Sequence, residues 1–363
     1  MRVDARAQAL YVQGEHQFGL GRMSAGRDLL RQAADAGHVQ ASLRLVQYLL
    51  HFEQEDGVDE ALRRLDDGVG SGEPAALCIA ASLVLGGKLW SERVPEVPLW
   101  IHRAALRGWP EARQAAALLY AMGDALESTT DARQGAGVAG GLESAADPEP
   151  HRLVACFERL QRPEPARILC DSPRVALIDH VLPPVALAWL RSLALPRLRP
   201  SRVIDPVSGQ AREDPLRTSS GLTIDPLQED LPLRLIQWRM SVAAACPLSQ
   251  AEPLLVLRYR PGEEYRPHRD YLSPPALASF APAAGQRWRT CCTYLNPVAS
   301  GGQTEFPLLG ISVEPVPGAS LVFDNTDSLG QPDARSLHAG RPVLEGEKWL
   351  STLWFRQANL RPF

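Results

Sequence analysis

Two histidines and one aspartate are the residues of this 363-residue chain best placed to do chemistry. His268 and Asp270 lie in Tyr265-Arg266-Pro267-His268-Arg269-Asp270-Tyr271, and His338 lies in Leu337-His338-Ala339-Gly340. Two imidazoles and a carboxylate can occupy one face of a ferrous ion and leave three positions open. On an extended segment His268 and Asp270, two apart, project to the same side. His338 must arrive from a strand distant in sequence. Ten positions later Lys348 opens the run Lys348-Trp349-Leu350-Ser351-Thr352-Leu353-Trp354-Phe355. If that run is a strand, Lys348, Leu350, Thr352 and Trp354 share one face, and Trp349, Ser351, Leu353 and Phe355 the other. An inward lysine is costly unless an anion pairs with it. The set therefore suggests an oxygenase that anchors an acidic co-substrate. A zinc hydrolase could use the same three ligands, but it gives Lys348 no role.

The elements that must carry these residues read as follows. Val175 to Asp179 is a strand, and Pro183 to Leu193 a helix opened by prolines. Leu231 to Ala245 is a longer amphipathic helix. Short strands follow at Pro253 to Tyr259, Arg289 to Leu295, Ala319 to Phe323 and Lys348 to Gln357, separated by Gly and Pro turns. The 31 prolines crowd the C-terminal two-thirds and favour a loop-rich β domain there. Tyr271 to Gln286, rich in Pro, Ala and Ser, is expected as a loop near the site. Helices followed by many short strands suggest an α+β layer on a β-sandwich or jelly roll.

The first third carries an internal repeat. Gly37, Gly72 and Gly108 are spaced by 35 and then 36 residues, and Ala41, Ala76 and Ala112 follow at the same intervals. Gly can end a helix in a left-handed turn, and a small Ala lets the next helix approach closely. Leu43, Leu45, Val46, Leu49 and Leu50 add a helical apolar stripe. Such a period belongs to stacked helix pairs. The pattern resembles the tetratricopeptide superfamily, more closely its Sel-one-like branch, over roughly residues 5–122. Residues 123–150 lose the periodicity and read as a flexible linker. The expected organisation is multidomain: an all-α helical-repeat solenoid over 1–122, a linker over 123–150, and an α+β jelly-roll domain (a double-stranded β-helix) over 151–363.

A longer resemblance runs from about Pro173 to Gln357. Arg217-Thr218-Ser219, Leu257-Arg258-Tyr259-Arg260-Pro261-Gly262, Tyr265 to Asp270, Tyr294-Leu295-Asn296, Gly301-Gly302-Gln303-Thr304-Glu305-Phe306, Ser336-Leu337-His338-Ala339-Gly340 and Gly346-Glu347-Lys348-Trp349 occur in the order and at the gaps of one family. That text resembles the prolyl 4-hydroxylase branch of the iron and 2-oxoglutarate-dependent dioxygenases. The resemblance implies that His268, Asp270 and His338 bind Fe(II) and that Lys348 pairs with the distal carboxylate of 2-oxoglutarate. It implies that Tyr259 and Thr304 hydrogen-bond that co-substrate. It places Tyr265, Trp354 and Arg287 on the substrate side, with Arg217 steadying a loop over the site. It implies O2 as oxidant, ascorbate as an accessory reductant, and succinate and CO2 as products. Halogenating relatives replace the carboxylate ligand with a small residue, so the retained Asp270 favours hydroxylation.

Composition bounds the alternatives. A net charge of -4 gives no global basic field for nucleic acid or acidic membranes, and no basic, aromatic-interleaved stretch appears. No apolar run approaches a membrane span and the first residues lack a signal core. Six cysteines without CxxC spacing are expected as reduced thiols, with Cys291 and Cys292 on opposite faces of a strand. The expectation is a cytoplasmic hydroxylase of prolyl residues in a peptide or protein, with the helical repeats recruiting the target. Its competitors are a dioxygenase of a free amino acid or small metabolite, and a repeat scaffold with an inactive oxygenase domain.

Overall fold

The computed structural model describes residues 4–52, 57–128, 147–204, 211–213, 216–224 and 229–361. Eight helices come first: α1 (Ala5–Gly19), α2 (Met23–Asp35), α3 (Val39–Phe52), α4 (Val58–Ser71), α5 (Pro74–Gly86), α6 (Val97–Leu106), α7 (Pro110–Ser128) and α8 (Pro150–Leu160). Each packs against the next along the chain. Gly37, Gly72 and Gly108 have φ of 85°, 73° and 77°, the left-handed geometry that lets a helix stop without a Cβ clash. Ala41, Ala76 and Ala112 are fully buried, as are Leu45, Val46 and Leu49. Helix α5 (PAALCIAASLVLG) is apolar all round and correspondingly buried along nearly its whole length.

The stretch 123–150, expected as a linker, divides. Residues 123–128 complete α7, residues 129–146 lie outside the described residues, and Pro150 opens α8. Helix α8, expected in the second domain, packs on α6 and α7. Its C-terminal carbonyls are tied onward: the buried Arg239 guanidinium donates to Leu160 O at 3.0 Å and Arg162 O at 2.8 Å.

The C-terminal region adds α9 (Pro184–Ala194), α10 (Leu231–Ala244) and α11 (Pro274–Ser279), the last inside the stretch expected as a loop. Its strands, in chain order, begin with β1 (Ala166–Asp171), β2 (Arg174–Ile178), β3 (Arg199–Pro200), β4 (Arg202–Ile204), β5 (Ala211–Glu213), β6 (Ser220–Thr223), β7 (Leu255–Tyr259) and β8 (Tyr265–His268). They continue with β9 (Arg287–Tyr294), β10 (Ser300–Gly301), β11 (Thr304–Phe306), β12 (Ile311–Val313), β13 (Ser320–Asp324), β14 (His338–Gly340), β15 (Val343–Glu345) and β16 (Lys348–Arg356). An eight-stranded sheet runs β1-β2-β13-β9-β16-β7-β6-β3, and a four-stranded sheet runs β12-β11-β14-β8. This is the jelly-roll arrangement.

The two faces of the large sheet do different work. Trp349, Leu353 and Phe355 of β16, with Cys291 of β9, face a core that continues through α10 into the N-terminal helices. Cys292 faces the opposite way. Helix α10 packs on α5 and α7 on one side and on β9 and β13 on the other. Its expected polar face is therefore inside the protein. Arg234 pairs with Glu229 at 2.9 Å, Gln237 donates to Glu229 at 2.7 Å, and Arg239 pairs with Glu164 at 3.1 Å. Paired in this way, polar side chains tolerate burial.

Candidate active site

The cavity lies between the two sheets. Lys348, Leu350, Thr352 and Trp354, the alternate residues of β16, all line it from the large sheet, while Tyr265, His268, Thr304 and His338 line it from the small one. Strand β8 ends at His268, so Asp270 sits in the bend just beyond rather than on a continuous strand. His338 opens β14 directly opposite His268 in the antiparallel register.

These three side chains offer ligand atoms that all lie within 4.8 Å of one another. His268 Nε2 is 3.6 Å from Asp270 Oδ1, and His338 Nε2 is 3.7 Å from Asp270 Oδ2. Each ring turns its other nitrogen to a backbone carbonyl: His268 Nδ1 to Arg266 O at 2.9 Å, His338 Nδ1 to Ser336 O at 3.0 Å. A carbonyl only accepts, so Nδ1 carries the proton in both rings and each Nε2 lone pair is left for a metal. Burial, helped by His268, depresses His338 to about 4, which keeps it neutral at physiological pH. Burial pushes the Asp270 carboxyl up, but His338, His268 and Arg287 outweigh it and hold the group below the usual carboxylate range. Two imidazoles, each with Nε2 turned toward the cluster, and one carboxylate with open positions fit Fe(II).

Lys348 is 2% exposed, and burial lowers its pKa to about 8 against the opposing influence of Cys292. Among the described residues no carboxylate pairs with it. Its ammonium reaches only the Thr304 hydroxyl, at 3.5 Å, and lies 5.8 Å and 5.6 Å from the ring centres of Tyr259 and Tyr294. An ammonium held this way suits an anionic ligand. Tyr259 faces Lys348 across the β7–β16 pair. Burial raises the Tyr259 phenol, so it remains a donor. Thr304 Oγ1 accepts from the Tyr294 hydroxyl at 2.9 Å, which leaves the Thr304 proton for another acceptor.

The substrate-side residues separate. Tyr265 and Trp354 line the cavity; Tyr265 stacks on His268 at 3.3 Å, and the buried Trp354 Nε1 has no partner among the described residues. Arg217, expected to steady a loop, is itself buried in the lining, 5.0 Å from the Tyr265 ring centre. Arg287, expected beside the substrate, is instead held behind the site. Buried Glu252 takes it at 2.6 Å and 2.7 Å, it donates to Asp270 O at 3.3 Å, and it lies 4.1 Å from the Trp354 ring centre. Thr290, Asn325, Glu252 and Tyr294 complete the surroundings of the ligands. Sequence reasoning assigned them no role; neutral or loop-borne residues give no spacing signal.

Residues 254–356 match the family model described as the 2OG-Fe(II) oxygenase superfamily. Prolyl 4-hydroxylase 1 of Arabidopsis thaliana is 36% identical over 200 residues, covering 51% of this chain and 70% of that protein. The chain belongs to the prolyl 4-hydroxylase-like 2OG-Fe(II) oxygenases. Prolyl 4-hydroxylase 2 of the same plant is 31% identical to this oxygenase over 227 residues, covering 56% of this chain and 73% of that one. Among solved structures, a viral collagen prolyl hydroxylase of Paramecium Bursaria Chlorella virus-1 is 26% identical with a TM-score of 0.40, covering 52% of this chain and 98% of that one. The oxygenase is a 2-oxoglutarate-dependent dioxygenase whose cofactor set is Fe(II), 2-oxoglutarate and O2.

Proposed function

We propose that this oxygenase hydroxylates prolyl residues of a peptide or protein. The observation that carries the reading is one cavity that joins the His268, Asp270 and His338 cluster to the buried ammonium of Lys348, which has no carboxylate partner among the described residues. The prolyl assignment is supported by the curated relatives of this half of the chain, which are named prolyl 4-hydroxylases.

When bound, iron(II) would let O2 act as the oxidant, taking two electrons from 2-oxoglutarate, which becomes succinate and CO2, and two from a substrate C–H bond, which becomes C–OH. The protein positions and encloses. His268, Asp270 and His338 hold the metal. Lys348 takes the distal carboxylate of 2-oxoglutarate, with the Thr304 and Tyr259 hydroxyls donating beside it. Leu257, Leu350 and Phe323 give the cavity apolar walls that exclude water. Tyr265 and the free Trp354 indole N–H face the substrate, the latter suited to a peptide carbonyl. Arg287 acts from behind, on the Asp270 backbone and the Trp354 ring.

The N-terminal helices read as Sel-one-like repeats that recruit the target protein; the left-handed Gly37, Gly72 and Gly108 and the buried Ala41, Ala76 and Ala112 support the repeat. No helix among the described residues is long and apolar enough to cross a membrane. Six unpaired cysteines support a reducing, cytoplasmic setting.

The substrate class is tested with proline-containing peptides and matched peptides carrying alanine. Peptide-stimulated succinate formation that depends on the proline is expected. Turnover stimulated only by free amino acids or small metabolites would sink the prolyl assignment.

A further inference from the structure

The carboxylate of Asp270 has a hydrogen-bonding neighbour that no ligand role explains. Thr290 Oγ1 donates to Asp270 Oδ2 at 2.8 Å, and Asn325 Nδ2 donates to Thr290 Oγ1 at 2.9 Å. The donor order is forced. An ionised carboxylate only accepts, so the single Thr290 proton goes to Asp270, and Asn325 must offer its N–H rather than its carbonyl. The consequence is visible at the other end of the amide: Asn325 is 0% exposed, and its Oδ1 has no partner among the described residues. A buried amide that leaves its carbonyl unmatched works against stability. Its orientation is the one the Asp270 carboxylate requires.

Asn325 also reaches the second imidazole through its backbone. Its carbonyl accepts from Asp333 N at 2.9 Å. The Asp333 carbonyl accepts from Ser336 N at 3.1 Å and Ser336 Oγ at 2.8 Å. The Ser336 carbonyl then faces His338 Nδ1 at 3.0 Å. One residue just past the end of β13 thus stands behind two of the three ligand side chains. Its own N–H is fixed to Trp288 O, at 2.7 Å, on the neighbouring strand.

We propose that Thr290 and Asn325 form a positioning relay that fixes the Asp270 carboxylate, and through Asn325 the approach of His338, for metal binding. The relay pins Oδ2 by a neutral donor, orienting the carboxylate without adding a charge that would compete with the cation. This rests on reading His268, Asp270 and His338 as the metal ligands.

The test is metal binding by the full chain, independent of turnover, using Mn(II) titration and the visible absorption of the Co(II) form. Thr290→Val keeps the shape and removes the hydroxyl. It is expected to weaken Mn(II) binding about tenfold to a hundredfold, the usual effect of losing a group that orients a metal ligand, and to shift the Co(II) bands. Thr290→Ser, which restores the hydroxyl, is expected to return both to wild-type values. Asn325→Leu leaves Thr290 without its donor and is expected to shift both readouts in the same direction; it carries the test if Thr290→Val does not fold. Mn(II) affinity within about twofold of wild type and unchanged Co(II) bands in either folded variant would overturn the relay. Asp270→Ala separates this failure from that of the ligand reading. If it abolishes binding while the relay variants do not weaken it, only the relay falls. If it binds Mn(II) as wild type does, the ligand assignment falls.

Discussion

Glu111, in the first turn of α7, accepts a hydrogen bond at 2.9 Å from the backbone N of Leu231, 120 residues later. Leu231 is the first residue of α10, the helix that packs on the large sheet, so a helix N-terminus of the catalytic half is satisfied by a carboxylate from the N-terminal half. Burial pushes that carboxyl up. Replacing Glu111 with Ala orphans a partly buried N–H and is expected to lower stability by about 1–3 kcal/mol. Because one core runs from Leu30 to Phe355, thermal unfolding of the full chain is expected to remain a single transition. Calorimetry showing two separated transitions would contradict the shared core.

Lys348→Met is expected to act with opposite signs on two measurements. It removes a buried charge that has no carboxylate partner, so the unliganded protein is expected to be as stable as wild type or more so in urea. It also removes the partner of the 2-oxoglutarate carboxylate. Loss of one member of a buried, hydrogen-bonded charge pair costs about 2–5 kcal/mol, so the KM for 2-oxoglutarate is expected to rise by roughly thirtyfold or more. A destabilised variant with an unchanged KM would reverse the assignment.

The same lysine sets a pH dependence. In the free site Lys348 is lowered to about 8 by burial. An anionic ligand favours the charged form and raises that value, so binding takes up a proton wherever the free amine is neutral. The KM for 2-oxoglutarate is expected to be flat between about pH 6 and 8 and to rise up to tenfold per pH unit above it. Steady-state kinetics check the profile, and titration calorimetry of 2-oxoglutarate binding in buffers of different ionisation enthalpy checks the proton uptake. A KM that falls with rising pH has the wrong sign.

Tyr294→Phe removes the donor that fixes Thr304 Oγ1 and leaves the ring in place. The loss of one neutral hydrogen bond, about 0.5–1.5 kcal/mol, is expected to raise the KM for 2-oxoglutarate roughly two- to tenfold with little change in iron affinity. Equal loss in metal binding would show that Tyr294 supports the cluster rather than the co-substrate.

The residues that the structure gathers around the cavity were largely legible because their signals are local. A period of two put Lys348, Leu350, Thr352 and Trp354 on one face, and all four line the cavity. The left-handed turns at Gly37, Gly72 and Gly108 were legible for the same reason. Arg287 was not, because its position is decided by Glu252, 35 residues upstream in a loop. Helix α10 read as amphipathic, yet Arg234 and Gln237, three apart, and Arg239, round on the other side of the helix, are all buried. Glu229 and Glu164, with the Leu160 and Arg162 carbonyls, are brought in by tertiary folding and give these side chains partners inside the protein. The extent of α7 was obscured by the glycine-rich text that follows it.

The most direct test of the account is stoichiometry: the full chain with Fe(II), O2, 2-oxoglutarate and a proline-containing peptide, with succinate and hydroxyprolyl product quantified together. The account predicts one succinate per hydroxyl added, with both products abolished in His268→Ala and, in wild type stripped of metal, restored by Fe(II). Hydroxylation that persists at the wild-type rate in His268→Ala, or that proceeds without succinate, would contradict it.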